Sequence, residues 1–202
     1  MSVSAKTANG ITAALQKEDV IGDLFPERAT TSTFIPEGSL LVDYAEPNTT
    51  VALGNVLPTE TTQSVPSFNY KPFNEMDIES KYTLVMTDPD APSRTDKKFS
   101  EYCHYVITDI TFKDAKEGGS IVPNQDNVEL HSYIGPGPPK GTGLHRYIFL
   151  LLKQTDPSLT KFTEVKERFN WGYGQPAVGI ERWANENSLK LVAANYFLAE
   201  NK

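Results

Sequence analysis

Prolines alternate with short strand-like runs along most of this chain, and the alternation limits the folds open to it. Most of the 14 prolines lie between runs of apolar residues. Proline has no backbone N–H to donate to a β-ladder, so it separates central strands instead of lying within them. The runs that predict strands are residues 39–44, 50–53, 67–70, 81–87, 101–110, 128–134, 144–153 and 189–198.

Apolar residues at helical spacing predict three helices at the edges of this strand-rich chain. One lies before Pro26 and another follows Pro176. A third follows Lys153, with Asp156 as N-cap and Pro157 at its first position. This order favours a mainly β protein with antiparallel strands and peripheral helices over an alternating parallel α/β sheet. The apolar faces of the helices are Ile11, Leu15, Val20, Ile21 and Leu24 before Pro26; Phe162, Val165 and Phe169 after Lys153; and Ile180, Trp183 and Ala184 after Pro176.

Length and composition favour one domain. With 202 residues, 39% of them hydrophobic, we expect residues 1–202 to form one domain, with residues 1–25 as an N-terminal tail and short helix. The 19 basic and 26 acidic residues give a net charge of -7, which argues against nucleic acid as a partner. Cys103 is the one cysteine, and the N-terminus has no apolar signal segment, so we expect the cytoplasm.

Two proline-rich segments run directly into histidine-bearing strands. Residues 87–94 lead to His104, and residues 135–143 lead to His145. If the two loops meet at one end of a sheet, the two imidazoles line one cavity. His131, the third histidine, follows no such loop, and we expect it to be structural.

Other polar side chains are expected beside the two histidines. The carboxylates of Asp88 and Asp90 and the phenol of Tyr147 belong to the same segments. Side chains alternate across a strand, which assigns each of them to a face. The residues expected to share a face are His145, Tyr147, Phe149 and Leu151 on one strand, and Tyr102, His104 and Val106 on the other.

The residues leave the class of ligand open. Imidazoles at an apolar wall suit an anion such as a phosphate monoester or a carboxylate. Asp88 and Asp90 fit such a ligand if one orients a histidine and the other takes part in turn hydrogen bonds or takes up a proton. Alternatively, an Asp holds the amine or hydroxyl end of a zwitterionic head group.

No residue pattern indicates catalysis, a metal or a cofactor. The glycine-rich segment 135–143 is not a phosphate-cradling loop, because Lys140 precedes Gly141 and three prolines remove backbone donors. No Gly-x-Ser-x-Gly sequence is present, and Cys103 with His104 falls short of a zinc site. The residues show no nucleophile paired with a base and leave catalysis open, and we expect no metal ligand and no cofactor.

Residues 87–93, 101–104 and 133–147 together resemble the signature segments of the phosphatidylethanolamine-binding proteins, also called Raf kinase inhibitor-like proteins. A weaker resemblance continues through residues 41–57 and 191–197. The resemblance implies a large antiparallel sheet, a smaller sheet and peripheral helices. It also implies a cis peptide bond between Ala91 and Pro92.

The resemblance further implies an anion pocket that binds phosphate, phosphorylethanolamine or a carboxylate. Tyr102 stands where many animal members have Trp, so the aromatic wall is kept and a hydroxyl is added. Members of the family typically show no enzymatic turnover, which implies a protein that is not an enzyme. The implied lining residues are Asp88, Pro89, Asp90, Pro92, Tyr102, His104, Gly137, Pro138, His145 and Tyr147.

Residues 53–60, 84–87, 170–174 and 189–197 are most similar to the fungal branch of the family, which includes an inhibitor of a serine carboxypeptidase. This implies a regulator that binds a phospholipid head group or anion and acts on a serine carboxypeptidase or on Ras or kinase signalling proteins, with peripheral membrane contact. Residues 1–10 do not match the inhibitory segment of that branch, and simple disorder is their other interpretation.

Two other functions are compatible with the same residues. One is binding of a lipid or small anion without a protease target. The other is a hydrolase that uses His104, His145 and Asp88.

Overall fold

The structure, a computed structural model, describes residues 2–29, 33–47, 49–121 and 127–202. Its helices are α1 (Val3–Lys17), α2 (Val20–Leu24), α3 (Pro26–Ala29) and α4 (Gly179–Glu186), with 3₁₀ turns at Thr59–Thr62 and Phe169–Gly172. Its strands are β1 (Gly38–Asp43), β2 (Asn55–Val56), β3 (Ser67–Pro72), β4 (Tyr82–Asp88), β5 (Tyr102–Ile110), β6 (Gly119–Ile121), β7 (Val128–His131), β8 (His145–Gln154) and β9 (Leu189–Ala199). None of the helices in these ranges has the length and apolar character needed to span a membrane.

The strands form two sheets. The large sheet has the order β2-β9-β8-β4-β5-β7, and the small sheet has the order β1-β3-β6. The pairs are antiparallel except that the two-residue β2 lies parallel to β9. A mainly β fold with a large antiparallel sheet, a smaller sheet and peripheral helices is therefore confirmed.

The large sheet is buried on both faces, and alternation along β8 divides its side chains between two cores. Phe149 packs on the small sheet, with its ring 5.6 Å from that of Phe68. Ile148 and Leu150 lie on the opposite face, in a core shared with Trp183 of α4. The predicted common face of Tyr147, Phe149 and Leu151 is confirmed.

Strand β5 departs from simple alternation at the site. Between Met86 and Thr87 of β4, the register with β5 slips by one residue, which marks a β-bulge. Tyr105 consequently joins the core between the sheets, and Val106 joins the core beneath the helices. The prediction that Val106 shares a face with His104 is wrong because the bulge inserts an extra residue between them.

The predicted helix over residues 157–169 is wrong. The Asp156 carboxylate accepts a hydrogen bond from the Ser158 N–H (2.8 Å), which makes a local turn and not a helix cap. Farther on, the Val165 carbonyl accepts from Nε2 of His131 (2.7 Å) on the edge strand β7. The backbone groups of Thr163 and Val165 thus bond to distant side chains, and tertiary contacts take the place of helical hydrogen bonds there.

Other predicted elements differ in position. Residues 50–53 contribute only a bridge at Thr50, because Leu53 and Gly54 adopt positive φ angles (47° and 101°) and turn the chain before β2. The helix after Pro176 and the final strand are confirmed as α4 and β9.

The N-terminal segment is helical. Ser2 Oγ accepts a hydrogen bond from the Ala5 N–H (3.1 Å) and caps α1. Ile11 and Leu15 of this helix are buried. Disorder is thus the wrong interpretation for residues 3–10.

A buried guanidinium joins the N-terminal helices to the large sheet. Arg146 of β8 donates through Nε and an Nη atom to Asp90 (2.9 and 2.7 Å). It also donates to the Glu18 carbonyl at the end of α1 (2.7 Å) and to the Asp23 carboxylate of α2 (2.6 Å). The side chains of Arg146 and Asp90 are 3% and 0% exposed, so removing one of the two charges would leave a buried charge poorly compensated.

We predict that Arg146→Met destabilises the protein by about 3–5 kcal/mol, because it leaves the buried Asp90 carboxylate with only the partly exposed Arg94, at 3.4 Å, as a cation. Urea unfolding measures the change. Lys71→Met is the control, since the ion pair of Lys71 with Glu117 is exposed and should contribute less than about 1 kcal/mol. Equal losses in the two variants would contradict the assigned role of Arg146.

A buried carboxyl group fixes the start of β5. Glu101 is fully buried, and its Oε2 accepts from the N–H of Ile180 at the beginning of α4 (2.8 Å). Its Oε1 has no hydrogen-bond partner among the described residues. Burial raises the pKa of Glu101 to about 8, partly offset by the hydrogen bond from Ile180. The group is therefore protonated in the folded protein at neutral pH.

This burial predicts a specific pH dependence of stability. The folded-state pKa lies above the unfolded value of about 4.3, so the stabilisation is complete below that pH and is lost as pH rises to about 8. Glu101→Gln should therefore gain on wild type by about 1.4 kcal/mol per pH unit within this window. Urea unfolding of both proteins at several pH values tests this. A difference that stays constant with pH would show that Glu101 is ionised in the fold.

Candidate ligand-binding site

Three strand ends meet at one end of the large sheet. Because β4 runs antiparallel to both neighbours, its last residue, Asp88, lies beside the first residues of β5 and β8, Tyr102 and His145. A cavity of about 320 Å³ opens there. Its lining residues are Asp88, Ala91, Pro92, Phe99, Tyr102, His104, Ile134, Gly135, Gly137, Pro138, Pro139, His145, Tyr147 and Phe169.

The two histidines that the sequence singled out lie on either side of one phenol. The Tyr147 ring centroid is 5.3 Å from that of His104 and 6.3 Å from that of His145. The peptide bond between Ala91 and Pro92 is cis, as the family resemblance implies. The predicted residues that line the cavity are Asp88, Pro92, Tyr102, His104, Gly137, Pro138, His145 and Tyr147.

The other two predicted residues, Pro89 and Asp90, are buried and do not line the cavity. The Asp90 N–H donates to Asp88 Oδ1 (2.7 Å) and closes the turn. Its carboxylate accepts from the backbone and guanidinium of Arg146. Asp90 therefore joins the sheet to the N-terminal helices, and the carboxylate at the cavity is Asp88.

Asp88 orients His145. Its Oδ2 lies 2.9 Å from His145 Nδ1, and the Asp88 and His145 side chains are 5% and 1% exposed. His145 Nε2 lies 2.9 Å from Thr142 Oγ1, which is also 2.7 Å from the Pro139 carbonyl. Both ring nitrogens of His145 are thus held by groups of the protein.

His104 has a different environment. Its Nδ1 lies 2.7 Å from the Ile134 carbonyl, and because a carbonyl only accepts, Nδ1 carries the proton. Burial lowers the pKa of His104, although the nearby Asp88 charge and the Ile134 hydrogen bond favour the protonated ring. The neutral ring then carries its lone pair on Nε2.

Aromatic side chains form the mouth of the cavity. The Tyr102 ring lies 4.7 Å from His104 and 5.3 Å from Phe169, and Phe169 lies 4.7 Å from Phe99. Phe99 and Phe169 remain 37% and 45% exposed. The exposed Ile134 continues this apolar rim. A ligand with a polar end and an apolar part fits such a mouth.

Sequence reasoning missed Ala91, Phe99, Ile134, Gly135, Pro139 and Phe169 as lining residues. Three of these lie within the predicted loops and Ile134 adjoins one, so their position was a usable signal. Phe99 precedes β5, but nothing in the sequence connects it with Phe169. The two are brought together by the hydrogen bond from the Asn170 N–H to the Phe99 carbonyl (3.3 Å).

The cavity has an unusual charge for an anion site. No lysine or arginine is among its lining residues in the described part of the chain, whereas Asp88 is. Burial raises the pKa of Tyr147, so its phenol stays protonated. Across residues 2–29, 33–47, 49–121 and 127–202, no group of three His, Cys, Asp or Glu residues could hold a metal ion.

Two yeast proteins are similar to this chain along most of its length. The chain is 44% identical over 197 residues to the uncharacterized Saccharomyces cerevisiae protein YLR179C, covering 96% of this chain and 95% of the relative. It is 42% identical over 208 residues to the carboxypeptidase Y inhibitor of the same yeast, covering 92% and 90%.

Solved structures of related proteins match the fold of this chain. The carboxypeptidase Y inhibitor in complex with its cognate proteinase matches with a TM-score of 0.87 at 41% identity, covering 96% of this chain and 97% of that one. The phosphatidylethanolamine-binding protein of Plasmodium vivax matches with a TM-score of 0.73 at 25% identity, covering 95% and 97%. The resemblance to the fungal branch is confirmed. Residues 47–197 match the family model for phosphatidylethanolamine-binding protein, and the chain belongs to that family.

Proposed function

We propose that this protein is a non-enzymatic regulator that inhibits a serine carboxypeptidase of the carboxypeptidase Y type and binds a phosphate- or carboxylate-bearing head group in its cavity. One observation carries the inhibitory part: similarity to the yeast inhibitor extends over 92% of this chain and 90% of the inhibitor. The structural match to that inhibitor in its proteinase complex supports the same partner class.

The cavity supports binding of a head group. Its volume of about 320 Å³ is at the lower end of the range for small-molecule sites, about 300–1,000 Å³. Its interior offers imidazole, phenol and carboxylate groups, and its rim is aromatic. A phospholipid head group would place polar atoms inside and acyl chains along Phe99 and Phe169. Peripheral contact with a membrane surface is part of this proposal.

A hydrolytic function receives less support from the same residues. Asp88, His145 and Thr142 form a chain of hydrogen-bond contacts that resembles a catalytic triad in its order. Thr142, however, is not among the residues that line the cavity. Its hydroxyl also donates toward the Pro139 carbonyl, which ties the loop together. We therefore assign the Asp88–His145–Thr142 hydrogen-bond contacts a structural role.

The wider role proposed here follows from family membership. Action on Ras or kinase signalling proteins is supported by membership of a family that includes Raf kinase inhibitor-like proteins. A cytoplasmic location is supported by Cys103, the one cysteine of the chain, which is buried and unpaired.

We predict that His104→Ala weakens phosphorylethanolamine binding by about ten- to a hundredfold, the loss expected for one hydrogen bond to a charged group. Isothermal titration calorimetry measures the affinity. His131→Ala is the matched control, because His131 lies on β7 and does not line the cavity. Unchanged affinity in a folded His104→Ala protein would remove His104 from the site.

We also predict that the purified protein inhibits carboxypeptidase Y with a dissociation constant of about a micromolar or tighter, as expected for a specific interface. Steady-state hydrolysis of a blocked dipeptide substrate measures inhibition, with a serine endopeptidase assayed in parallel. Full carboxypeptidase activity at tens of micromolar inhibitor would leave only the head-group function.

A further inference from the structure

At the cavity, Nε2 of His104 has no hydrogen-bond partner among the described residues and acts as an acceptor. His104 Nδ1 must donate to the Ile134 carbonyl, so the lone pair of the neutral ring is on Nε2. A fully ionised phosphate or carboxylate is also an acceptor and repels this lone pair.

His145 does not replace the missing donor. Its Nδ1 is held by Asp88 and its Nε2 by Thr142, both at 2.9 Å. It is 1% exposed. Unless this chain of contacts breaks, neither nitrogen is free for a ligand.

Lysine and arginine do not supply a compensating charge, because neither is among the described residues that line the cavity. The Asp88 carboxylate is paired with His145 and adds no donor for the ligand. The neutral donors at the cavity include the phenols of Tyr102 and Tyr147. These groups can bind ligand oxygens, but they cannot balance a double negative charge.

We propose that the cavity binds a phosphate-bearing head group together with one proton, held between His104 Nε2 and a ligand oxygen, so that it selects a phosphate monoester with one negative charge over the same monoester with two. This deepens the proposed head-group function and rests on it. The proton comes from solvent or from the ligand, and no covalent bond forms or breaks. A phosphate monoester would bind as its monoanion to a neutral ring, or equivalently as its dianion to imidazolium.

The charged and titratable groups around His104 agree with this assignment. Asp88 faces it from β4, Tyr102 is on its own strand, and His145 and Tyr147 face it from β8. Arg168 donates to the His104 carbonyl (3.1 Å) and disfavours a second positive charge. Burial keeps the empty site's ring neutral, and an anionic ligand supplies the counter-charge that protonation needs.

Calorimetric titration of the full chain with phosphorylethanolamine tests the proposal directly. At about pH 7.5 the phosphate is mostly dianionic, since its second pKa is about 6. Titrations in PIPES and in Tris, which differ in ionisation enthalpy, should show uptake of about one proton per ligand bound. Affinity should fall about tenfold per pH unit between about pH 7 and 8.5, the limit for one linked proton.

The variant His104→Gln isolates the nitrogen involved. The Gln amide nitrogen can stand near the position of Nε2 and donates without titrating. Binding of phosphorylethanolamine by this variant should lose its pH dependence above pH 7. His131→Gln, the same substitution outside the cavity, should keep the wild-type slope. If His104→Gln fails to fold by circular dichroism, the two-buffer titration of wild type decides alone.

The outcomes separate the proton from the head group. Tight binding with no proton uptake, or a slope that persists in His104→Gln, would overturn the proton at His104 and leave the head-group function standing. No binding of phosphorylethanolamine by wild type at any pH between 5.5 and 8.5 would overturn the head-group function and the proton with it.

Discussion

The turn that ends β4 supplies two carboxylates to two neighbouring residues of β8, and this pairing organises both the cavity and the attachment of the N-terminal helices. Asp88 holds His145 and Asp90 holds Arg146. Because adjacent residues of a strand point to opposite faces, one pair lies at the cavity and the other beneath the N-terminal helices. One short turn therefore fixes both the site and the attachment of α1 and α2.

The polar interior and the apolar rim of the cavity come from different parts of the chain. The interior is built at strand ends, where the backbone is held by the sheet ladder and side chains have little freedom. The rim needs Phe99 and Phe169, which approach each other because the segment after residue 168 binds the backbone before β5. The interior of the cavity thus offers rigid polar atoms and its mouth offers aromatic surface, which suits an amphipathic ligand.

Local patterns predicted the strands that carry the site. The predictions for Val106 and for the helix after Lys153 were wrong because of non-local contacts. Alternation along β8 placed Tyr147 and Phe149 correctly because both faces of that strand are buried and its register is strongly specified. It failed for Val106, where a bulge in β5 adds a residue. The helix predicted after Lys153 failed because backbone groups in the segment, such as the Val165 carbonyl, bond to distant partners.

Local sequence patterns were enough to predict the sheet-rich fold, the two proline-rich loops and the two histidines that follow them, because backbone donors and side-chain periodicity are local properties. The folded chain was needed to show which carboxylate faces the cavity, which histidine nitrogen is free, and that no lysine or arginine of the described residues lines the site. Those facts depend on which groups meet across the sheet. Asp88 and Asp90 are chemically identical, and only their partners on β8 distinguish them.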